Sequence, residues 1–205
     1  DGYWPVIVQA VPEGTVVPIS NVLATIENVD PNCWWVPSFL ETGLLRAIWY
    51  GTSVATNSYI SKKTIFDYLK ATGTPSLIDT RLHDFGARGV SSTESAAIGG
   101  AAHLVNFKGT DNINALVLLR EYYASDHAGL SVPAMEHSTV TSWTRDHEVD
   151  AYRNMIKTYG GPGKIISIVA DSYDIYNACK MFGTELKDEI ISSGTTLVVR
   201  PDSGI

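Results

Sequence analysis

Cysteine is scarce in this sequence, and long apolar runs are absent. The 205 residues include 2 cysteines, Cys33 and Cys179, whose positions match neither a zinc site nor a disulfide framework. No apolar stretch approaches the ~20 residues that cross a bilayer, and no signal-peptide pattern is visible. These absences exclude a disulfide scaffold and a membrane-spanning protein, and they predict a cytoplasmic protein with reduced thiols.

Basic charge is also in short supply. The formal net charge is −7, whereas a general nucleic-acid binder usually carries a basic field. This charge is compatible with a small anionic substrate, because a few arginines in a cleft outweigh distant surface carboxylates. We therefore expect no nucleic-acid partner and leave an anionic ligand open.

Several common catalytic motifs are missing as well. The segment 160–164 ends in Gly-Lys, but Ile165 follows where a P-loop needs Ser or Thr. His147-Glu148 lacks the second histidine of a zinc helix. Neither a G-x-G-x-x-G turn nor a G-x-S-x-G elbow occurs. The sequence therefore excludes a P-loop protein, a G-x-G-x-x-G dinucleotide-binding fold and a serine hydrolase with a G-x-S-x-G elbow.

The first 75 residues predict a β-rich segment followed by helices. Val- and Ile-rich runs predict a small antiparallel unit, with strands at Pro5–Val11, Thr15–Val17 and Val22–Ile26. A capping box at Ser38 and Glu41 predicts a helix to about Tyr50. A second helix is expected from Val54 to Lys70, ended by the group Thr72–Pro75.

From about residue 80 the pattern is strand, polar loop and helix, repeated. Predicted strands end near Asp84, Phe107, Pro133, Asp171 and Arg200. Polar clusters at the carboxyl ends of successive parallel strands are typical of an α/β barrel or an open α/β sheet. A closed barrel needs eight strands in about 250 residues. We therefore predict an α/β protein, with either an incomplete barrel or an open sheet in residues 76–205 and the β-rich segment with its helices in residues 1–75.

The segment LHDFGARGVSS indicates a ligand site at a helix start. Ser91 and Glu94 have capping-box spacing, and the helix dipole would point back at the preceding loop. Phe85 can stack on a flat ring, and Arg88 can grip a phosphate with two donors. The alternative is a capped helix in which Arg88 pairs with Asp84.

Two further loops each allow a functional and a structural interpretation. Asp111 precedes a predicted helix from Asn112 to Tyr123, so it either caps that helix or accepts from a ligand amide. His137 either shuttles a proton or accepts a phosphoryl group, or it bonds a backbone carbonyl.

The last two polar clusters contain paired charges. Asp171 and Asp174 follow an apolar run, where they suit a Mg²⁺–pyrophosphate or ribose hydroxyls, or else cap a helix and satisfy its dipole. Arg200 and Asp202 suit a phosphorylated sugar, or else form a simple ion pair.

Taken in order, these segments resemble the nicotinamide phosphoribosyltransferases. The matching stretches are DGYWPVIVQAVPEGT, LHDFGARGVSS, HLVNFKGTD, SVPAMEHST, DSYDIYNAC and RPDSG. The resemblance implies an irregular barrel of the type II phosphoribosyltransferase kind and a homodimer with active sites at the subunit interface. It also implies a reaction: nicotinamide and phosphoribosyl pyrophosphate give nicotinamide mononucleotide and pyrophosphate, with Mg²⁺ as cofactor.

The resemblance assigns the base-binding residues. Phe85 is implied to stack on the pyridine ring and Asp111 to accept from the carboxamide nitrogen. Ser167 is implied beside the same amide, and Ser131 is implied as a further substrate-binding residue. Ala87 departs from relatives that carry an aromatic residue there, which leaves the packing around it open.

The resemblance also assigns the phosphate and ribose residues. Arg88 and Arg200 are implied to hold pyrophosphate or phosphate, and Asp202 to bind the ribose hydroxyls. His137 is implied to be phosphorylated by ATP, which drives the condensation. Asp171 is implied to orient His137 or to lie near a Mg²⁺–pyrophosphate, so that His137, Asp171 and Asp202 form the catalytic set.

Alternatives remain at this point. A nicotinate phosphoribosyltransferase is disfavoured because the Asp111 carboxylate would repel a carboxylate substrate. A noncatalytic binding or signalling homologue is disfavoured because the site residues are present. The termini predict a piece of a longer protein, without the family's partner-ring tyrosine and glycine-rich phosphate site, so we expect the 205 residues alone to be inactive.

Overall fold

A computed structural model describes residues 2–203, which fall into two compact units. The first unit comprises residues up to Ser131 and the second begins at Val132. The mixture of helices with short strands confirms an α/β composition. The division expected between residues 75 and 76, and the barrel itself, stay predictions about the complete fold.

The N-terminal hairpin joins strands β1 (Val6–Ala10) and β2 (Ala24–Asn28). They pair antiparallel, from Val6 opposite Asn28 to Ala10 opposite Ala24, which confirms the antiparallel β unit. The strand expected at Thr15–Val17 is wrong, because that segment has no strand partner. It lies between a turn with Gly14 at φ +82 and Pro18, which has no amide hydrogen to donate to a ladder.

One long helix, α1 (Val36–Thr72), replaces the two helices expected from the sequence. Gly51 does not interrupt it; a Cβ there would lie 3.7 Å from Ile98 of the next helix, in ordinary contact. The capping box at Ser38 is also wrong, because the helix begins at Val36 with a proline in its first turn. The end is confirmed: Gly73 N donates to Leu69 O at 2.9 Å, and Pro75 follows.

The rest of the first unit is a short parallel pair flanked by helices. Strand β3 (His83–Asp84) runs parallel to β4 (Gly109–Thr110), and Gly109 also bridges Leu130 in parallel. Helix α2 (Thr93–His103) packs against α1 and against α3 (Ile113–Tyr123). The strand end expected near Phe107 lies instead at Thr110.

The second unit surrounds a parallel pair with four helices. Its elements are α4 (His137–Thr141), α5 (Glu148–Tyr159), β5 (Ile165–Val169), α6 (Ile175–Gly183), α7 (Lys187–Ser193) and β6 (Thr196–Arg200). Strands β5 and β6 pair from Ile165–Thr196 to Val169–Arg200. The core contains Ile166, Ile168 and Tyr152, all fully buried. Parallel strands ending in polar loops are therefore confirmed for β5 and β6, whereas the strand expected to end near Pro133 is wrong: that segment forms isolated bridges at Leu130 and Ala134 instead.

Within residues 2–203, no helix is both long enough and apolar enough to cross a bilayer.

Candidate active site

A polar cluster lies at the carboxyl ends of β3 and β4. The Asp111 Oδ1 atom accepts a hydrogen bond from His83 Nε2 at 3.1 Å, and Ser131 Oγ donates to the same oxygen. Residues at the ends of paired parallel strands meet at one sheet edge, so residues far apart in sequence share one carboxylate. The structure therefore brings Asp111 and Ser131 together, as the site assignment requires.

An exposed aromatic ring adjoins this cluster. Phe85 is 53% exposed, and its ring centroid lies 4.6 Å from that of His83, with the planes inclined by 31°. Both residues line a cavity of about 450 Å³. An accessible ring face next to a carboxylate is a platform for a flat ring that carries a hydrogen-bond donor.

Asp84 holds the scaffold of this site. Its Oδ1 atom accepts from Gly86 N at 2.7 Å and its Oδ2 atom from Asn112 Nδ2 at 3.1 Å, while its backbone oxygen accepts from Asp111 N at 3.1 Å. Arg88 is exposed and forms no ion pair with any carboxylate in residues 2–203. The alternative of an Arg88–Asp84 salt bridge is therefore wrong, and Arg88 is left able to bind an anion.

The helix caps next to the site differ from those expected. Ser92, not Ser91, caps α2 by accepting from Ser95 N at 3.0 Å. Asn112 caps α3, so the interpretation of Asp111 as a cap is wrong. An ideal Cβ at Gly100 would lie 2.4 Å from Asn112 Nδ2, so only glycine lets α2 approach this cap. The Asp111 carboxylate is consequently not needed for helix capping.

The second unit has its own polar cluster, built around Asp171. Asp171 Oδ1 lies 2.9 Å from His137 Nε2. Its Oδ2 atom accepts from the backbone amides of Asp202 at 2.8 Å and Ser203 at 2.6 Å. Burial raises the pKa of Asp171, but the amides of Ser203 and Asp202 and then His137 outweigh that effect and lower its pKa to about 2. Asp171 is therefore an anion that holds both the histidine and the loop after β6.

Arg200 and Asp202 lie beside the same histidine. Arg200 Nη1 is 3.6 Å from Asp202 Oδ1, and Arg200 Nη2 donates to Met135 O at 2.5 Å. Asp202 Oδ2 is 3.8 Å from His137 Nδ1. Arg200 Nε is buried with no hydrogen-bond partner within residues 2–203. The ion pair is long, so both charges keep capacity to bind a ligand.

Asp174 and Ser167, also singled out in the sequence of this unit, make contacts that stabilise the fold. Asp174 caps α6 by accepting from Tyr176 N and Asn177 N, so the expectation that Asp171 is the cap is reversed. Ser167 is buried in β5, where its backbone N and O pair with Pro133 O and Met135 N, both at 2.9 Å.

Two contributors were missed in the sequence. Neither gave a signal in the sequence. His83 reaches Asp111 because β3 pairs with β4. Ser203 places its Oγ atom 3.5 Å from His137 Nε2. Its position depends on how the loop after β6 folds onto Asp171.

Comparison with known proteins decides the family. The profile of the nicotinate phosphoribosyltransferase (NAPRTase) family matches residues 80–205, more than half of the chain. The chain belongs to this family. The match covers both polar clusters, so family membership rests on the segments that carry the site.

Individual family relatives are named nicotinamide phosphoribosyltransferase. The protein of Xanthomonas campestris pv. campestris (strain 8004) is 56% identical over 206 residues, covering 99% of this chain and 44% of its own length. That of Acinetobacter baylyi (strain ATCC 33305 / BD413 / ADP1) is 33% identical over 212 residues, covering 99% and 42%. The Mycoplasma genitalium protein (strain ATCC 33530 / DSM 19775 / NCTC 10195 / G37) is 33% identical over 192 residues, covering 92% and 40%.

These matches confirm the resemblance inferred from the motifs. The chain spans less than half of the length of each of these family members.

Proposed function

We propose that the protein containing this chain transfers the phosphoribosyl group of phosphoribosyl pyrophosphate to nicotinamide, in NAD salvage. The observation that carries the proposal is the Asp111 carboxylate, held by His83 and Ser131 beside the exposed Phe85 ring. The names of the relatives support the same activity.

The base pocket discriminates by charge. Phe85 stacks on the pyridine ring, and Asp111 accepts from the carboxamide N–H, with Ser131 as a further binding group. The role that the resemblance implies for Ser167 stays a prediction. A nicotinate carboxylate brought to the same place would face the Asp111 anion and lose the hydrogen bond, so it binds more weakly. The Asp111 carboxylate therefore favours nicotinamide over nicotinate, within a family named after the acid.

The transfer itself needs little acid–base chemistry. The lone pair of the pyridine nitrogen forms the bond to the anomeric carbon, and the bond from that carbon to pyrophosphate breaks, the electron pair leaving with pyrophosphate. No proton has to be removed from the nucleophile. Positioning and neutralisation of the leaving group supply most of the rate. Arg88 and Arg200 hold the phosphate groups, and Asp202 binds the ribose hydroxyls.

His137 is the proposed phosphoryl acceptor for ATP. A ring nitrogen attacks the terminal phosphorus and ADP leaves, which gives a phosphohistidine whose hydrolysis drives the condensation. Asp171 orients the imidazole; its 2.9 Å contact with His137 and its lowered pKa support this role. The anion favours the imidazole orientation that presents the opposite nitrogen, Nδ1, to the phosphoryl group.

A direct magnesium site at Asp171 does not fit the residues present. Within residues 2–203, no three His, Cys, Asp or Glu side chains are grouped as a metal site. Asp171 already accepts three hydrogen bonds. The family's Mg²⁺ is therefore proposed to enter with pyrophosphate, whose oxygens are its preferred ligands.

The assembly follows from the same resemblance. We propose an irregular α/β barrel with a β-rich accessory domain, a cytoplasmic location, and a homodimer with the active sites at the subunit interface. The parallel pairing of β3 with β4 and of β5 with β6 supports the barrel.

A competition assay tests the proposed function. The longest natural protein containing residues 1–205 would receive Mg²⁺, phosphoribosyl pyrophosphate and equal nicotinamide and nicotinate, and the two mononucleotides would be resolved. We expect nicotinamide mononucleotide to dominate. If nicotinate mononucleotide dominated, the fold assignment would stand and the proposed preference for nicotinamide would be wrong. If neither mononucleotide formed, the result would favour a noncatalytic binding or signalling protein.

A further inference from the structure

We infer that His83 is a positioning residue that sets the preference for an amide over an acid, by donating the hydrogen bond that orients Asp111 while its ring lies against Phe85. This inference rests on the proposed function, since it concerns how that pocket recognises the carboxamide.

The two hydrogen bonds to the Asp111 carboxylate share one oxygen atom. Both His83 Nε2 and Ser131 Oγ donate to Oδ1, and Oδ2 has no hydrogen-bond partner within residues 2–203. Two donors on one oxygen fix the carboxylate plane and leave one oxygen free. A carboxamide N–H needs one acceptor in a defined direction, which is what this arrangement leaves.

The direction of the His83 hydrogen bond follows from chemistry. An ionised carboxylate only accepts, so the Nε2 atom of His83 carries the hydrogen in this contact. The imidazole therefore acts as a donor to Asp111, and its orientation controls that of the carboxylate.

The same imidazole also supports the ring platform. Its centroid lies 4.6 Å from that of Phe85, and its side chain is 27% exposed. Phe85 and Asp111 lie on different strands' ends, 26 positions apart in the sequence. His83 contacts both, so it links the ring platform to the amide acceptor.

The neighbouring strand leaves room for this imidazole because it has glycine opposite. His83 pairs with Gly109 across β3 and β4. An ideal Cβ at Gly109 would lie 2.8 Å from His83 Nδ1, closer than a side-chain carbon can approach. Any larger residue at position 109 would therefore displace the ring from Asp111.

Paired substitutions separate the hydrogen bond from the ring contact. His83→Phe keeps an aromatic ring against Phe85 and removes the donor. His83→Gln removes the ring and keeps an N–H donor the same number of bonds from Cα. His127→Phe, at an exposed histidine of the same unit, is the matched control. Steady-state constants would be measured for nicotinamide and nicotinate in the longest natural protein containing residues 1–205.

The expected result is a change in binding of the amide. His83→Phe should raise the KM for nicotinamide about tenfold, the cost of a lost oriented hydrogen bond, with a smaller change in kcat. The ratio of kcat/KM for nicotinamide to that for nicotinate should fall by a similar factor. His83→Gln should recover most of this loss, and His127→Phe should behave as wild type.

Three outcomes would overturn the inference. These are an unchanged KM and ratio in His83→Phe, equal losses in His83→Phe and His83→Gln, and the larger loss in His83→Gln, which would assign the role to ring packing. If His83→Phe fails to fold, as judged by circular dichroism, Gly109→Ala displaces the ring instead and should raise the same KM. A wild-type enzyme without preference for nicotinamide would instead refute the proposed function.

Discussion

Single residues in the two polar clusters differ in what holds them. Among the residues that the structure describes, Asp111 has one oxygen without a hydrogen-bond partner, whereas both oxygens of Asp171 accept hydrogen bonds. The free oxygen of Asp111 is suited to meet a ligand, and the engaged oxygens of Asp171 are suited to hold protein groups in place. Replacing each aspartate should therefore give a different kind of defect.

Asp111→Ser should reduce substrate discrimination. It removes the anion that repels nicotinate and the acceptor for the carboxamide, and a hydrogen bond to a charged group contributes about 1.5–3 kcal/mol. We expect the kcat/KM ratio of nicotinamide to nicotinate to fall by roughly 10- to 100-fold or to invert. Competition kinetics would measure the ratio. Asp126→Ser, at an exposed aspartate of the same unit, is the control, and an unchanged ratio in Asp111→Ser would contradict the assignment.

Asp171→Asn should alter stability in acid. The pKa of Asp171 in the folded protein is lowered to about 2, below the ~3.9 of an unfolded chain. Its charge therefore stabilises the folded state above pH 4, by about 2–3 kcal/mol, and this contribution diminishes as the pH falls from 4 towards 2.

Urea midpoints at pH 7, 4 and 2.5 would measure this effect. The variant should be less stable than wild type at pH 7, and the difference should shrink at pH 2.5. Asp174→Asn is a suitable control, since asparagine caps a helix as well as aspartate. A difference independent of pH would argue against the Asp171 contacts.

At the scale of elements, helix α1 is the clearest case in which local sequence patterns gave a wrong prediction. Glycine and serine at 51–53 predict a break, yet the helix continues because its face packs on α2 and tertiary contacts override weak propensity. The capping boxes at Ser38 and Ser91 fail for a related reason: a two-residue spacing match occurs by chance, and neighbouring residues fulfil the role.

Gly51→Ala tests the continuity of α1. A mid-helix alanine reduces the entropy lost on folding, so it should raise the free energy of unfolding by about 0.5–1 kcal/mol. The space is open, with the nearest atom at 3.7 Å. Gly43→Ala is the matched control, because position 43 is helical whether α1 is one helix or two. A gain at 43 without one at 51 would contradict a continuous helix.

Other elements could be predicted because their signals are strong. The sequence of β5 is an apolar run followed by acidic residues. In the structure this run is a buried strand that ends just before Asp171. β3 and β4 are 2 residues each, too short for any alternation pattern, so β4 was expected too early. The candidate site was found through residue types in loops, while His83 and Ser203 emerged only from three-dimensional contacts.

At the scale of the whole molecule, the 205 residues carry two site clusters in two compact units. The chain covers 44% of its Xanthomonas relative, and the family resemblance implies further contributions from a partner subunit and from other segments. Within residues 2–203, the aromatic ring that lies against the half-exposed Phe85 is that of His83, which leaves a base one stacking surface on Phe85.

We therefore expect the isolated chain to produce little or no nicotinamide mononucleotide. Product would be followed chromatographically, with the longest natural protein as the positive control under the same conditions. Substantial turnover by the isolated chain would show that residues 1–205 suffice for catalysis.

The strand β3 gives the site a particular sensitivity to length. His83 and Phe85 line the cavity, and Asp84 between them ties the scaffold through Gly86 and Asn112. Strand β3 pairs with β4 in one register, with His83 opposite Gly109 and Asp84 opposite Thr110, so a shift of one position would put a different residue at each of these places. A single inserted or deleted residue just before His83 would take the imidazole away from the glycine opposite it and the Asp84 carboxylate away from Asn112. During divergence, this site can therefore accept new side chains more readily than a change in the spacing that precedes it.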